Sequence, residues 1–200
     1  VLLCLGSTGL AVELGKLSLN AGEIESNAGE IDPTIAGYPD SLSVKAGDDI
    51  GFHISTTLKK YSMEIFRVGA KKESVWTRRG LPGIRYPFPE NAYSHGCDWP
   101  LALRVSVPRE WRSGYYSVVL RGEDSAGRSA TGEMFFVVRS ARPGKDTRIL
   151  LQLTTNTYNA YNTWGGMSLY GDPRGRRVSF DRPWAGFADP DGFTATYSGW

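Results

Sequence analysis

The chain has 200 residues, a formal net charge of +2 and 40% hydrophobic residues, which is typical of a globular protein with one or two domains. No strong partner follows from this charge alone. The arginines between 174 and 182 are too local to form the groove that follows phosphates in a nucleic-acid-binding protein. The cysteines, Cys4 and Cys97, lie outside any CxxC spacing, so we expect free thiols rather than a zinc site or a disulfide framework.

The first 36 residues are predicted to be a linker or the end of a preceding module. The tetrapeptide AGEI occurs at 21–24 and again at 28–31, but two copies that contain glycine do not establish a helical heptad. The apolar opening over 1–11 is similar to the remains of a secretory signal and is too short to span a bilayer. We therefore expect no membrane span, and a secreted or periplasmic location is favoured.

Residues 37–141 are predicted to form an immunoglobulin-like antiparallel sandwich of about seven strands. Apolar and polar residues alternate over 50–54, 61–65, 103–107 and 116–120, as in strands with one buried face. Residues 135–138 are apolar on both faces and are predicted to be central or covered. The turn from Trp111 to Tyr116 is typical of a strand entry in such sandwiches, where a tyrosine hydroxyl fixes the corner.

The segment from Lys71 to Pro100 is predicted to be a long loop, because it is rich in glycine, proline and aromatic residues and shows little periodicity. It contains His95, which is close in sequence to Cys97, Asp98 and Trp99. The sequence leaves two roles open for His95, a metal or catalytic role and a packing role within the loop, and the packing role is favoured.

An apolar run, Ile149–Leu153, follows a predicted hinge at Arg142–Asp146 and reads as a strand buried on both faces. Ligands of open α/β sheets bind beyond the carboxyl ends of the strands, and the residues that follow this run are unusually rich in tyrosine, asparagine and tryptophan. A helix capped by Thr155 or Asn156 would place Tyr158 and Tyr161 on one face.

These aromatic and amide residues form the candidate site. Its members are Tyr158, Asn159, Tyr161, Asn162, Trp164 and Tyr170. From chemistry alone, an equal alternative is that the large aromatic rings simply cover a sheet edge or fill an interface.

Residues 142–200 are predicted to be the incomplete N-terminal part of an α/β domain. One strand without a second strand–helix unit cannot form a stable parallel layer. After Glu133 the sequence contains no Glu, His or Cys, which excludes a Cys-His nucleophile and a His-based zinc site from this part of the sequence.

Several motifs, in the same order, resemble the large (beta) subunit family of N,N-dimethylformamidase. TYNAYNTWGGMSLY at 157–170 and RVSFDRP at 177–183 look like the start of its catalytic domain, and GYPDSLSVKAGDDIGFHIST at 37–56 and VPREWRSGYYSVVLR at 107–121 are similar to its preceding β-sandwich. The resemblance covers roughly residues 36–184. It implies a sandwich followed by the truncated start of a glutamine-amidotransferase-like α/β domain.

The resemblance also implies a hydrolase that cleaves the carbon–nitrogen bond of a small linear amide at a mononuclear ferric iron held by two tyrosines and a glutamate. Such an ion favours anionic oxygen ligands. Tyr158 or Tyr161 is the candidate for the first tyrosine ligand, and the choice between them stays open. For the second, relatives read Arg-Pro-Tyr where this chain has Trp184 after Pro183, so Tyr170 and Tyr197 are the remaining candidates.

In this family the glutamate lies well downstream of these motifs. We therefore expect the 200 residues alone to bind no iron and to be inactive. The implied partners are a small amide substrate, the remainder of the catalytic domain, and a small subunit or a second copy of the chain.

A different class of function is also compatible with the sequence, namely a secreted β-sandwich that recognises carbohydrate or protein without catalysis. An exposed planar row formed by Trp76, Trp99, Trp111 and Tyr115 would support this adhesion function. A cleft at the end of 149–153, lined by Tyr158, Tyr161 and Trp164, would instead support the hydrolase.

Overall fold

The computed structural model describes residues 32–145 and 148–185. The expectations for residues 1–31, for Cys4, for Asp146 and for Tyr197 therefore lie outside the described residues. Strands make up 43% and helices 7% of the structure, so the mostly β fold predicted from the sequence is confirmed.

In the described part of the chain, eight strands form two sheets. The strands are β1 (Ile35–Pro39), β2 (Ser43–Lys45), β3 (Asp49–Thr56), β4 (Lys60–Val68), β5 (Lys72–Pro82), β6 (Leu101–Ser106), β7 (Gly114–Glu123) and β8 (Ser129–Arg139), and the helices are α1 (Ala92–His95) and α2 (Thr155–Tyr161). One sheet has the order β1-β3-β6 and the other the order β2-β8-β7-β4-β5. All neighbouring pairs are antiparallel except β2 with β8, which is consistent with a β-sandwich.

The main core consists of the alternating apolar residues that the sequence pattern identified. Ile50, Phe52 and Ile54 of β3 are buried, and so are Val118 and Leu120 of β7 in the other sheet. Each such side chain contributes about 1.5–3 kcal/mol when it is fully buried. The regular alternation therefore fixes which face of each strand points into the core.

The predicted corner tyrosine is Tyr116. Its ring is fully buried, and its hydroxyl donates a hydrogen bond to the carbonyl oxygen of Arg112 at 2.7 Å. Trp111 stacks on the same ring, with 4.9 Å between centroids and 8° between planes. This geometry confirms the interpretation of the Trp111–Tyr116 turn, and Trp111 is thereby held against the protein.

The prediction of a continuous loop from Lys71 to Pro100 is wrong, because its first part forms the 11-residue strand β5. Among the described residues, β5 pairs with β4 alone, at the edge of the five-stranded sheet. Its residues from Lys72 to Gly80 are exposed or half-buried, so neither face requires a regular apolar pattern. Alternation cannot reveal a strand of this kind.

Strand β8 is buried on both faces, as predicted for residues 135–138. Phe136 points into the sandwich and meets Phe52 of the other sheet in an edge-on contact at 6.0 Å. Phe135 lies in a separate apolar cluster with Trp184, against which Leu153 and Tyr158 also pack. The segment 148–185 therefore covers the outer face of this sheet.

The prediction of a doubly buried strand at Ile149–Leu153 is wrong for the described residues. Ile149, Leu150 and Leu151 are 82%, 90% and 72% exposed and form no strand. An apolar run becomes a buried strand only when neighbouring strands pair with its backbone, and residues 148–185 contain none. An α/β layer is not seen in this part of the structure.

Candidate functional site

The helix predicted near Tyr158 is present as α2, and it begins at Thr155. Its N-cap residue is Thr154, which makes no side-chain capping bond, so the predicted capping by Thr155 or Asn156 is wrong. The helix is only seven residues long. Packing rather than propensity must hold so short a helix in place.

The two helical tyrosines pack against different neighbours. The ring of Tyr158 meets Phe135 of β8 in an edge-on contact, with 6.5 Å between centroids. Tyr161 stacks on Tyr170, with 4.5 Å between centroids and 17° between planes. Tyr170 is 60% exposed, so the stacked pair lies at the surface, and the ligand roles of these tyrosines stay predictions.

Arg182 is the polar centre of this region and is completely buried. Its guanidinium donates to the carbonyl oxygens of Ser179 and Asn162, both at 3.0 Å, and of Met167 at 3.3 Å. It also donates to the carbonyl oxygen of Trp164. Burial lowers the pKa of Arg182 to about 10, so its side chain keeps its charge at neutral pH.

Asn159 and Asn162, predicted to line a pocket, are 2% and 1% exposed. The Asn162 amide nitrogen donates to the carbonyl oxygen of Pro183 at 2.9 Å, and its oxygen accepts the N–H groups of Trp164 and Ala185. Asn159 accepts from the guanidinium through both its side-chain and its main-chain oxygens. Both amides therefore connect α2 to residues 182–185, and their pocket role stays a prediction.

Trp164 connects α2 to the loop that follows β5. Its ring lies 5.8 Å from Trp99, at a right angle, and 4.9 Å from Phe88. The backbone strengthens this connection, because Cys97 N–H donates to Asp181 O and Ser179 N–H donates to Tyr93 O, both at 2.8 Å. Cys97 is a buried free thiol as expected, and burial raises its pKa to about 12, which makes it a poor nucleophile.

A separate cleft lies where the end of β1 and the middle of β3 meet this loop, and most of its residues were not predicted from the sequence. Its volume is about 450 Å³, and it is lined by Tyr38, Asp40, His53, Pro89, His95, Gly96, Asp98, Trp99 and Asp181. The lining includes both histidines of the chain. The presence of two histidines in the sequence is the one signal that could have suggested a site that contains both.

Within residues 32–145 and 148–185, no three His, Cys, Asp or Glu side chains come together in a way that could hold a metal ion. Among the helices of those residues, none is long and apolar enough to cross a membrane.

The aromatic row that would support an adhesion module is not formed. Trp99 is 4% exposed, Trp111 stacks on Tyr116, and Tyr115 stacks on Phe135 at 5.1 Å. These rings fill separate clusters rather than one exposed plane, so the adhesion function is not favoured.

A search of curated proteins gives no match. Among solved structures, the chain is similar to the sporulation control protein Spo0M from Bacillus subtilis, with a TM-score of 0.38 and 8% identity over 55% of this chain and 50% of that chain. That similarity is too low to support any functional argument. A family model described as N,N-dimethylformamidase beta subunit-like, C-terminal, matches residues 62–198, which is more than half of the chain. The chain therefore belongs to the N,N-dimethylformamidase beta subunit-like family.

Proposed function

We propose that the protein of which this chain is part hydrolyses the carbon–nitrogen bond of a small linear amide at a mononuclear ferric iron. The observation that carries the proposal is the family match over residues 62–198, which includes the whole of α2 and both of its tyrosines. The substrate is proposed only as a class, and the chain's own contribution is a set of phenol oxygens.

The donor chemistry of the described residues fits part of such a centre. Tyr158 and Tyr161 on α2 are the proposed ligands, with Tyr170 as the further candidate, and phenol oxygens suit a hard trivalent ion. In the proposal, the carboxylate ligand comes from sequence that follows Trp200. A bound ferric ion would supply Lewis acidity, which polarises an amide carbonyl and lowers the pKa of bound water.

The residues around α2 hold the proposed ligands in place. Arg182 and Asn162 fix the C-terminal end of α2 through the hydrogen bonds described above, and the ring of Tyr170 limits the orientation of Tyr161. Catalytic side chains must be held close to their productive geometry. The buried polar network thus has a positioning role in this proposal.

The test is iron loading of the longer protein, followed by visible absorption spectroscopy and an amidase assay. We expect a tyrosinate-to-iron charge-transfer band that is lost or shifted in Tyr158→Phe or Tyr161→Phe, together with the activity. Tyr86→Phe is the matched control, since it removes a phenol outside α2, and it should leave both unchanged. An iron-free, colourless and active protein would contradict the proposal.

The 200-residue chain provides a second arm of this test. It should bind ferric iron weakly or not at all and show no amide hydrolysis. Turnover at the rate of the longer protein would show that the chemistry lies elsewhere in the chain.

A further inference from the structure

We propose that the cleft between the end of β1, the middle of β3 and the loop at 95–99 binds a small organic cation that carries N–H donors. This site is separate from the tyrosines of α2 and does not depend on the proposed amidase activity. Its volume of about 450 Å³ lies in the range of pockets that hold small molecules.

The charge of the lining selects a cation. Three carboxylates, those of Asp40, Asp98 and Asp181, surround the opening, and no Lys or Arg lines it among the described residues. Within that same part of the chain, no ion pair or hydrogen bond engages any of the three carboxylates. Arg182 follows Asp181 in sequence, but its N–H groups are directed to backbone carbonyls and to the side-chain oxygen of Asn159. The cleft therefore presents uncompensated negative charge.

The buried side of the cleft is aromatic. Tyr38 is 3% exposed and Trp99 is 4% exposed, and their rings are tilted at 38° with 5.7 Å between centroids. Tyr38 also stacks on His53 at 4.8 Å. The accessible part of this wall is therefore apolar at its base, and it suits an organic ammonium with an apolar body better than a hydrated inorganic ion.

The two histidines provide acceptors for N–H groups. His53 Nδ1 lies 2.6 Å from the carbonyl oxygen of Trp99, which can only accept, so this nitrogen carries the proton of the neutral ring. Ser94 Oγ donates to the carbonyl oxygen of Asn91 and therefore accepts from His95 Nδ1 at 2.8 Å. Each neutral imidazole is left with a lone pair on Nε2.

The spread of these groups also argues against a coordinated metal ion. No three His, Cys, Asp or Glu side chains of the described residues are close enough to share one ion. Acceptors distributed around a cleft of this size instead match a ligand with several atoms, whose ammonium group faces the carboxylates and whose apolar body faces Trp99 and Tyr38.

The proposal is tested by NMR titration of the ¹⁵N-labelled protein at pH 8 and low salt with four probes. These are benzylammonium, benzyltrimethylammonium, benzoate and zinc chloride. Benzoate matches the size of benzylammonium with the opposite charge, and benzyltrimethylammonium keeps the positive charge but has no N–H donors. We expect benzylammonium to bind with a Kd of about 1 mM or tighter, with shifts at the amides of Asp98 and Trp99.

The control probes test the sign of the ligand charge and the need for N–H donors separately. Benzoate should cause no shifts, and benzyltrimethylammonium should bind at least about threefold more weakly than benzylammonium, because it cannot donate to the imidazoles and carboxylates. Equal binding of benzoate, shifts with zinc alone, or no shifts with benzylammonium would each overturn the proposal.

Variants localise the site. Asp98→Asn should weaken benzylammonium binding about threefold, and the triple change of Asp40, Asp98 and Asp181 to Asn about tenfold or more, because each removes a screened attraction. Asp98 has φ of +52°, a conformation that Asn also tolerates, so the single variant should fold even if the triple variant does not. Glu73→Gln on the exposed strand β5 is the matched charge control and should bind normally. Unchanged binding by Asp98→Asn and by a folded triple variant would overturn the site.

Discussion

The sandwich and the segment 148–185 are held together by different means. In the sandwich, regular strands satisfy their own backbone groups, and the core is a continuous set of buried apolar side chains. In the segment, a helix of seven residues is the longest regular element of the described part, so many carbonyl groups need other donors. One buried guanidinium with five N–H donors meets part of that need. An irregular segment can thus adopt one defined structure, as a sheet does, when a single side chain donates hydrogen bonds to several of its backbone carbonyl groups.

The largest expected effect comes from removing that side chain. Arg182→Ala should destabilise the segment by about 3–5 kcal/mol, because several buried carbonyls lose their donor. Amide hydrogen exchange should show this as faster exchange at Cys97 and Ser179, whose N–H groups bond to Asp181 and Tyr93.

Arg121→Ala provides the matched control for Arg182→Ala. Arg121 pairs with Glu64 at 3.6 Å, and its side chain is 53% exposed, so its loss should cost less than about 1 kcal/mol. Equal protection of the Cys97 and Ser179 amides in the wild type and in Arg182→Ala would contradict the account of the segment.

The second largest effect is expected from alkaline pH, which should lower the stability of the junction between the sandwich and the segment 148–185. Burial raises the pKa values of Cys97 and Tyr38 to about 12, above their values in an unfolded chain. The stability contributed by these neutral groups is therefore complete below the unfolded pKa and is lost as pH rises through about 12. Between the two values, each such group costs about 1.4 kcal/mol per pH unit.

Urea unfolding at pH 8 and at pH 10.5, followed by circular dichroism, measures this loss. Cys97→Ala should unfold with a shallower pH dependence over the same interval, because its thiol no longer titrates. An identical pH dependence in the wild type and the variant would refute the assignment to Cys97.

The smallest effect is expected at the exposed run that the sequence assigned to a strand. Leu150 is 90% exposed, so Leu150→Ala should change the free energy of unfolding by less than about 0.5 kcal/mol. Leu120→Ala is the matched change in the sandwich, where the side chain is fully buried, and it should cost about 2–5 kcal/mol. Similar costs for the two variants in urea unfolding would mean that residues 149–151 are covered in solution.

The sandwich could be predicted because several of its strands bury mainly one face, and burial imposes the alternation seen in β3 and β4. The corner at Tyr116 was predictable because its turn has a recognisable order of residues. Strand β5 was not predicted, because an exposed edge strand has no such alternation of apolar and polar residues. A buried strand was wrongly predicted at 149–151 because an apolar tripeptide has the same sequence pattern whether or not another element covers it.

The candidate site was harder to predict for two reasons. Arginine is normally a surface residue, so nothing local identifies Arg182 as the buried centre of the segment. The cleft combines residues of β1, β3, the loop at 95–99 and position 181, which lie far apart along the chain. Only the tertiary fold brings them together.

The charged side chains of β5 affect whether two copies of this protein can pair through their sheet edges. Its residues from Lys72 to Gly80 include Lys72, Glu73, Arg78 and Arg79, and β5 is the outermost strand of its sheet. If a strand from another molecule paired with β5, its backbone would lie beside these charged side chains, and the charges would lose part of their hydration. The other outer strand, β2, is only three residues long and offers little length for pairing. Both features should oppose edge-to-edge pairing of this sheet with another molecule.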